Sequence, residues 1–212
     1  MARTELSDIR QWRRRQRDST EGTKWTMTEI AVRVLDESGW LLYRDVRLRA
    51  LAESPGSFTA TLAEEADRDE QFWRDRMARS HRLLAERGAI PQGIVSLGPY
   101  EQESSAGEVF GLYVVPEARG TGVSWRLVEA AAALATQQAY LQLYYWVGTD
   151  NGRAVGFAQN FGFRTTDYRR SSRSSDLDPG EEIAMVLSLE PDTTLAPNPT
   201  SGKPATREGP LS

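Results

Sequence analysis

Cysteine is absent from this sequence, and histidine occurs once, as His81. The first absence removes disulfides, thiolate metal sites and any cysteine nucleophile. The second removes a zinc site built from several histidines and leaves a Ser-His-Asp triad with one candidate. No segment approaches the roughly 18 consecutive apolar residues of a membrane span, and the polar, Arg-rich start lacks the apolar centre of a secretory signal. An excess of positive charge is missing too: 26 Lys and Arg face 30 Asp and Glu, for a net charge of −4. A dedicated nucleic-acid binder is disfavoured by that balance. What remains is a 212-residue chain, 39% hydrophobic, large enough for one sizeable core. The expectation is a cytoplasmic mixed domain with no metal.

The two ends differ from the middle. Residues 1–24 include the basic run Gln11-Trp12-Arg13-Arg14-Arg15-Gln16-Arg17, with no apolar period, and read as a solvated arm. From Pro191 to Ser212 lie five of the ten prolines, interspersed with Thr, Ser, Gly and Lys. Such a composition cannot bury a core and reads as a disordered, dispensable tail. The folded domain is therefore placed at residues 25–190.

Within it strands and helices are mixed. Strands are expected over Met27–Leu35, Leu83–Glu86, Ile90–Leu97, Glu108–Val115, Leu141–Val147, Gly162–Tyr168 and Ile183–Leu189. Helices are expected over Trp40–Leu51, with Leu41, Val46, Leu48 and Leu51 at helical offsets, and over Ala66–Ala78, with Phe72, Trp73 and Met77 on one stripe. A long amphipathic helix should run to about Gln138 through Val123, Leu127, Ala131 and Leu134, and a short one should cover Asn151–Asn160. The order implies an α/β fold: a mixed, mostly antiparallel sheet of about seven strands flanked by about four helices. Trp40, Phe58, Phe72, Trp73, Trp125 and Trp146 read mostly as core, and Glu64, Glu65 and Asp67 as a solvated acidic face that could also attract a cationic acceptor.

The most informative stretch is Leu112–Leu127, LYVVPEARGTGVSWRL. It runs strand, glycine turn, helix start. Gly120 and Gly122 permit a tight turn that gathers backbone N–H groups. The first turn of the next helix adds unpaired donors and the positive end of the dipole. Together these suit a phosphate or pyrophosphate, with Arg119 as a charge-assisted partner. No Gly-Lys-Ser/Thr follows, so it is not a Walker loop, and the third glycine of a dinucleotide fingerprint is missing.

Val114, Pro116, Arg119, Gly120 and Gly122 form Val-x-Pro-x-x-Arg-Gly-x-Gly, which resembles the signature of the Gcn5-related N-acetyltransferases (the GNAT superfamily). Further on, Asn151, Ala154, Phe157 and Asn160-Phe161-Gly162-Phe163 resemble the family's Asn-x-x-Ala, aromatic, Gly-Phe ending. Arg47–Glu65, with Trp73 beyond, resembles the substrate-side helices of bacterial members. The likeness spans about Met27–Leu189 and implies one such domain. It also implies acetyl-coenzyme A as donor and direct transfer of the acetyl group to an amine.

The resemblance implies roles residue by residue. Glu108 is the candidate general base, since an alkyl ammonium with a pKa of roughly 10 must lose a proton before attack. The backbone around Leu112, Tyr113 and Val114 should meet the pantetheine arm, with an N–H near Leu112 or Tyr113 on the thioester carbonyl. Arg119, Gly120, Thr121, Gly122, Val123 and Ser124 should line the pyrophosphate. Asn151 should contact the coenzyme arm, or cap a helix, or both. Phe157 belongs to the coenzyme side, and Phe58, on the loop between the N-terminal helices, to the acceptor site. The departure is Ala158, where many members carry a tyrosine acid for the leaving thiolate. Tyr113, Tyr144 or Tyr145 could replace it, water could protonate the thiolate, or catalysis could be lost. His81 reads as structural or exposed.

A small-molecule amine is the expected acceptor and a protein amine the second reading. A non-catalytic acyl-coenzyme A sensor is kept open by Ala158, and the arginine arm keeps a nucleic-acid role open. No membrane partner is expected, and either a monomer or a homodimer fits.

Overall fold

The computed structural model describes residues 29–171 and 180–189. The arm at 1–24, the tail at 191–212 and the start of the strand expected from Met27 lie outside the described residues. Seven strands form one sheet in the order β1-β2-β3-β4-β5-β7-β6. They are β1 (Ile30–Leu35), β2 (His81–Arg87), β3 (Ile90–Pro99), β4 (Ala106–Val114), β5 (Gln142–Gly148), β6 (Arg164–Ser171) and β7 (Glu181–Ser188). Every neighbouring pair is antiparallel except β4 and β5. Five helices accompany them: α1 (Trp40–Glu53), α2 (Leu62–Ala66), α3 (Glu70–Arg79), α4 (Val123–Gln137) and α5 (Gly152–Phe161). Among the described residues, no helix is long and apolar enough to cross a membrane.

The helices form where caps and apolar stripes coincide. On α4, Val123, Leu127, Val128, Ala131 and Ala135 are buried, a stripe at 3.6 spacing that packs on β2, β3 and β4. A Cβ on Gly93 would meet Leu127, so that side of β3 faces α4. Ser96 has the opposite parity and faces the N-terminal helices.

Four details depart from the sequence expectation. The helix expected from Ala66 begins only at Glu70, as α3, and a short helix that was not expected, α2, ends at Ala66. Thr61 and Glu64 form a capping box that starts α2, and Asp69 accepts from Phe72 N at 2.9 Å to start α3. Each cap starts its own helix, and the α-helices number five among the described residues. On α1 the buried residues are Tyr43, Val46, Arg47, Ala50 and Leu51, whereas Leu41 is 45% exposed. The stripe is offset because an arginine occupies it. Trp125 is likewise 43% exposed; it lies against the Phe161 ring at 4.7 Å, on the rim rather than in the core.

The fourth concerns Glu65, which is 2% exposed and belongs to no solvated face. Its carboxylate accepts from Arg47 Nε at 3.1 Å, Arg47 Nη2 at 3.0 Å and Arg76 Nη1 at 2.6 Å. One buried anion thus ties α1, α2 and α3 together. Burial pushes its pKa up, but the Arg47 and Arg76 hydrogen bonds outweigh that and hold it below the ordinary 4.5. Removing the carboxylate leaves two guanidiniums facing each other, so Glu65→Gln should cost about 3–5 kcal/mol. Because the folded pKa is depressed, this contribution is complete above about pH 4.5 and fades as pH falls through the lower folded value. Urea denaturation of both proteins should show the large gap at pH 7 and a narrowing gap in acid. Equal stability at pH 7 would show that the triad does not hold the three helices.

Candidate active site

The site begins where β4 and β5 part. Their parallel pairing covers Ala106–Val109 against Gln142–Tyr145 and then stops, although β4 continues to Val114 and β5 to Gly148. On the other side β4 stays paired with β3, but its register shifts: Ser96 faces Phe110 and Ile94 faces Tyr113. Between these pairs one residue of β3, Val95, opposes two of β4, Gly111 and Leu112, which is a bulge. It sits at Gly111, whose φ is +63°. The bulge bends β4 away and leaves the edge of Phe110–Val114 turned toward a cleft.

That cleft is a cavity of about 1300 Å³. Of the residues expected to act as base or to bind coenzyme or acceptor, ten line it: Phe58, Glu108, Leu112, Tyr113, Val114, Arg119, Gly120, Ser124, Asn151 and Phe157. Thr121 and Gly122 line a separate depression of about 360 Å³ beside Trp125 and Arg126. The Thr121 hydroxyl donates to the Ala118 carbonyl at 2.8 Å. Val123 is 1% exposed and belongs to the core by its side chain.

The turn from Arg119 to Ser124 has the geometry that its glycines require. Gly120 has φ +79° and Gly122 φ +89°, a region that costs an L residue roughly 1–2 kcal/mol. A Cβ on either would meet nothing within 4 Å, so backbone conformation alone selects glycine there. Gly122 is the N-cap of α4 and no side chain caps that helix. Its first N–H groups are left without an acceptor among the described residues, at the positive end of the dipole. Arg119 does not reach across the turn. Its Nε donates to the Val114 carbonyl at 3.1 Å and Nη2 to Ser54 Oγ at 3.4 Å.

Asn151 is both wall and cap: its Oδ1 accepts from Ala154 N at 3.0 Å. Phe157 lines the cavity, while Ala158 is fully buried in the core. The three tyrosines differ. Tyr113 Oη donates to the Glu53 carboxylate, and burial together with that carboxylate pushes its pKa far up. Tyr144 stacks on Tyr100 at 4.1 Å and donates to Glu103 at 3.3 Å, away from the cavity. Tyr145 lines the cavity, and burial pushes its phenol up to about 12.

Glu108 stands on β4 opposite Gly98 of β3 and Tyr144 of β5, within the last paired stretch. It is half-buried. Desolvation raises its pKa above the ordinary carboxylate value, with Arg170 opposing and Glu182 and Glu101 adding to the rise. His81 is exposed at the start of β2.

Sequence reasoning missed the polar floor of the cavity: Arg47, Glu65, Arg76, Arg79, Arg82 and Ser96. The available signal was the recurrence of arginine at 76, 79 and 82, which places several cations near the same end of α3 and β2.

Comparison with known proteins gives a consistent picture. The family described as "Acetyltransferase (GNAT) family" matches residues 47–163. A mycothiol acetyltransferase from Kocuria rhizophila is 29% identical over 134 residues, covering 60% of this chain and 42% of that protein. The chain therefore spans less than half the length of that relative. Among solved structures, the Salmonella typhimurium protein yncA, determined with its cofactor acetyl-CoA, aligns with a TM-score of 0.62 at 14% identity, covering 77% of this chain and 95% of that one. A ribosomal-protein-alanine N-acetyltransferase from Brucella melitensis aligns with a TM-score of 0.60 at 18% identity, covering 74% and 99%.

The raised Glu108 pKa has a consequence for stability. In the folded chain the proton is held above pH 4.5, where the unfolded chain has begun to lose it. Stability therefore falls as pH rises from there through the folded value. Glu108→Gln mimics the protonated form, so its melting temperature should exceed that of the parent at pH 7 and match it below pH 4.5. A thermal series from pH 4 to 8 tests this; a variant less stable at pH 7 would contradict the burial argument.

Proposed function

The chain belongs to the acetyltransferase (GNAT) family, and on that premise we propose that it moves the acetyl group of acetyl-coenzyme A directly to a primary amine of a small molecule. The observation that carries this reading is the separation of β4 and β5, which places an open backbone edge, an uncapped helix start and a half-buried carboxylate on one cavity wall.

The residues present fit the donor. Open space over Gly120 and Gly122 and the uncapped N–H groups of α4 suit a pyrophosphate. The edge of Phe110–Val114 suits a pantetheine arm, which carries amides that can pair with a strand. Asn151 and Phe157 form the opposite wall.

Coenzyme binding supplies an activated acetyl: a carbon–nitrogen bond forms at the thioester carbonyl as the carbon–sulfur bond breaks, giving an amide and a thiol. The chain contributes position and proton traffic. Holding the reactants together supplies effective molarity. Glu108 attracts the ammonium and receives its proton, directly or through water, and its raised pKa makes it a better base than an exposed carboxylate. Backbone N–H groups beside the Gly111 bulge can hold the carbonyl oxygen.

The leaving thiolate needs no protein acid. Of the three candidate tyrosines, Tyr144 lies away from the cavity and Tyr113 is held by Glu53; burial pushes the phenol of the third, Tyr145, up to about 12. Transfer from such a phenol to a thiolate of pKa about 8.5 would be uphill, whereas at neutral pH, below that pKa, the proton pool of the solvent and its buffer would protonate a departed thiolate. Ala158, sealed in the core, offers no alternative.

Thiol release from acetyl-coenzyme A with a panel of amines tests the activity; coenzyme binding with no release on any amine would favour a non-catalytic sensor. Glu108→Gln should lower the rate at neutral pH by roughly 10²-fold, the scale of general base catalysis, with a smaller loss at high pH where the amine arrives neutral. Gly122→Val should weaken coenzyme binding about tenfold through its backbone conformation, a change of about 1.4 kcal/mol. Unchanged calorimetric affinity in that variant would remove the turn from the donor site.

A further inference from the structure

The floor of the cavity is unusually cationic for a chain with an acidic balance. Arg47, Arg76, Arg79 and Arg82 line it beside Glu64 and Glu65, and Glu64 is held by Thr61 in the capping box. Glu65 is already committed to Arg47 and Arg76. Arg82 is different. It is 3% exposed, and no carboxylate among the described residues lies within ion-pair distance of it. Its Nη1 donates to Ser96 Oγ and its Nη2 to the Arg76 carbonyl at 2.8 Å, both neutral acceptors. Its Nε is buried without a partner. Arg76, Arg47 and Arg79 are the charged neighbours, and they add repulsion to the desolvation of the group.

A buried guanidinium with no counter-anion is costly, and an arriving anion would offset that cost. The faces of the Arg82 group lie near the rings of Tyr43, at 4.8 Å, and Phe110, at 5.5 Å. An arriving anion must therefore meet its planar N–H edge, and a planar carboxylate matches such a fork.

We propose that the acceptor amine carries a carboxylate and that Arg82 receives it on the cavity floor. The inference rests on the transferase reading of the same cavity and names its substrate class: an amino acid or a close derivative. Register supports the placement. Ser96, bonded to Arg82, lies opposite Phe110, and Glu108 lies two residues along the same strand on the same face. That step is about 7 Å, a span that side-chain reach from Arg82 and Glu108 closes onto one small molecule. The carboxylate docks at Arg82 and the amine is turned toward Glu108. The triad of Arg47, Glu65 and Arg76 keeps the surrounding field positive without offering a competing free anion. A purely cationic amine would meet repulsion here.

Product-like ligands test the inference without turnover. Calorimetry on the full chain with coenzyme A present would compare N-acetyl-L-alanine, N-acetyl-L-leucine and N-acetyl-L-phenylalanine with their methyl esters. The acids should bind at least about tenfold more tightly than the esters, the scale of a charge-assisted hydrogen bond. Arg82→Gln should remove that preference while leaving coenzyme affinity in place. Esters that bind as well as acids, absence of acid binding throughout, or a folded Arg82→Gln protein that keeps the preference would each overturn the proposal. If Arg82→Gln does not fold, the acid and ester comparison on the parent decides alone. Thiol release is a separate measurement: its failure with every amine would remove the transferase reading, while the acid preference would still establish the carboxylate site.

Discussion

The parallel contact between β4 and β5 lasts four residues and then ends, and the rest of the site depends on that separation. Strands that stayed paired would leave no edge and no cavity. The sheet survives the opening because β4 remains bonded to β3, and β5 to β7, along their outer sides. The bulge at Gly111 supplies the bend. It also shifts parity, so Glu108, Phe110 and Tyr113 all face the N-terminal helices although three residues separate the last two. The chain then leaves β4 and reaches the Gly120 and Gly122 turn, of which Gly120 and Ser124 line the opened space. Backbone groups freed on the cleft side need partners, and an extended ligand with amides can provide them.

Charge is distributed to match. The whole chain is acidic, yet the cavity floor is basic. Stability and binding are separated within that floor. Glu65 neutralises part of the charge to lock α1, α2 and α3, whereas Arg82 is left with neutral partners. At the other end Glu108 is desolvated, which costs stability and makes it more basic.

Much of this was legible in the chain. The glycine turn could be read because both positions require left-handed backbone, a constraint that acts locally. Asn151 could be read as a cap for the same reason. The start of α2 was also present, as Thr61 with Glu64, and that of α3 as Asp69, but a five-residue helix shows no apolar stripe of its own, whereas Phe72, Trp73 and Met77 mark α3. The buried triad was not legible, because Arg47 and Arg76 lie 18 and 11 residues from Glu65, and nothing local says which of many charges will meet. For the same reason Arg47 hid the true stripe of α1. The core position of Ala158 follows from how α5 rotates against the sheet, which a short helix with glycines at 152 and 156 does not declare. Tyr113 could not be distinguished from Tyr145 either; its tie to Glu53 spans 60 residues.

The central claim is that the opened edge of β4 and the turn before α4 hold the acetyl donor. Amide hydrogen exchange of the full chain, with and without acetyl-coenzyme A, tests it most directly. Slower exchange on addition of the coenzyme is expected within Phe110–Val114, which lines the cavity, and within Gly120–Ser124, whose ends Gly120 and Ser124 line it. Protection confined to other segments, or none at all at saturating coenzyme, would contradict the account.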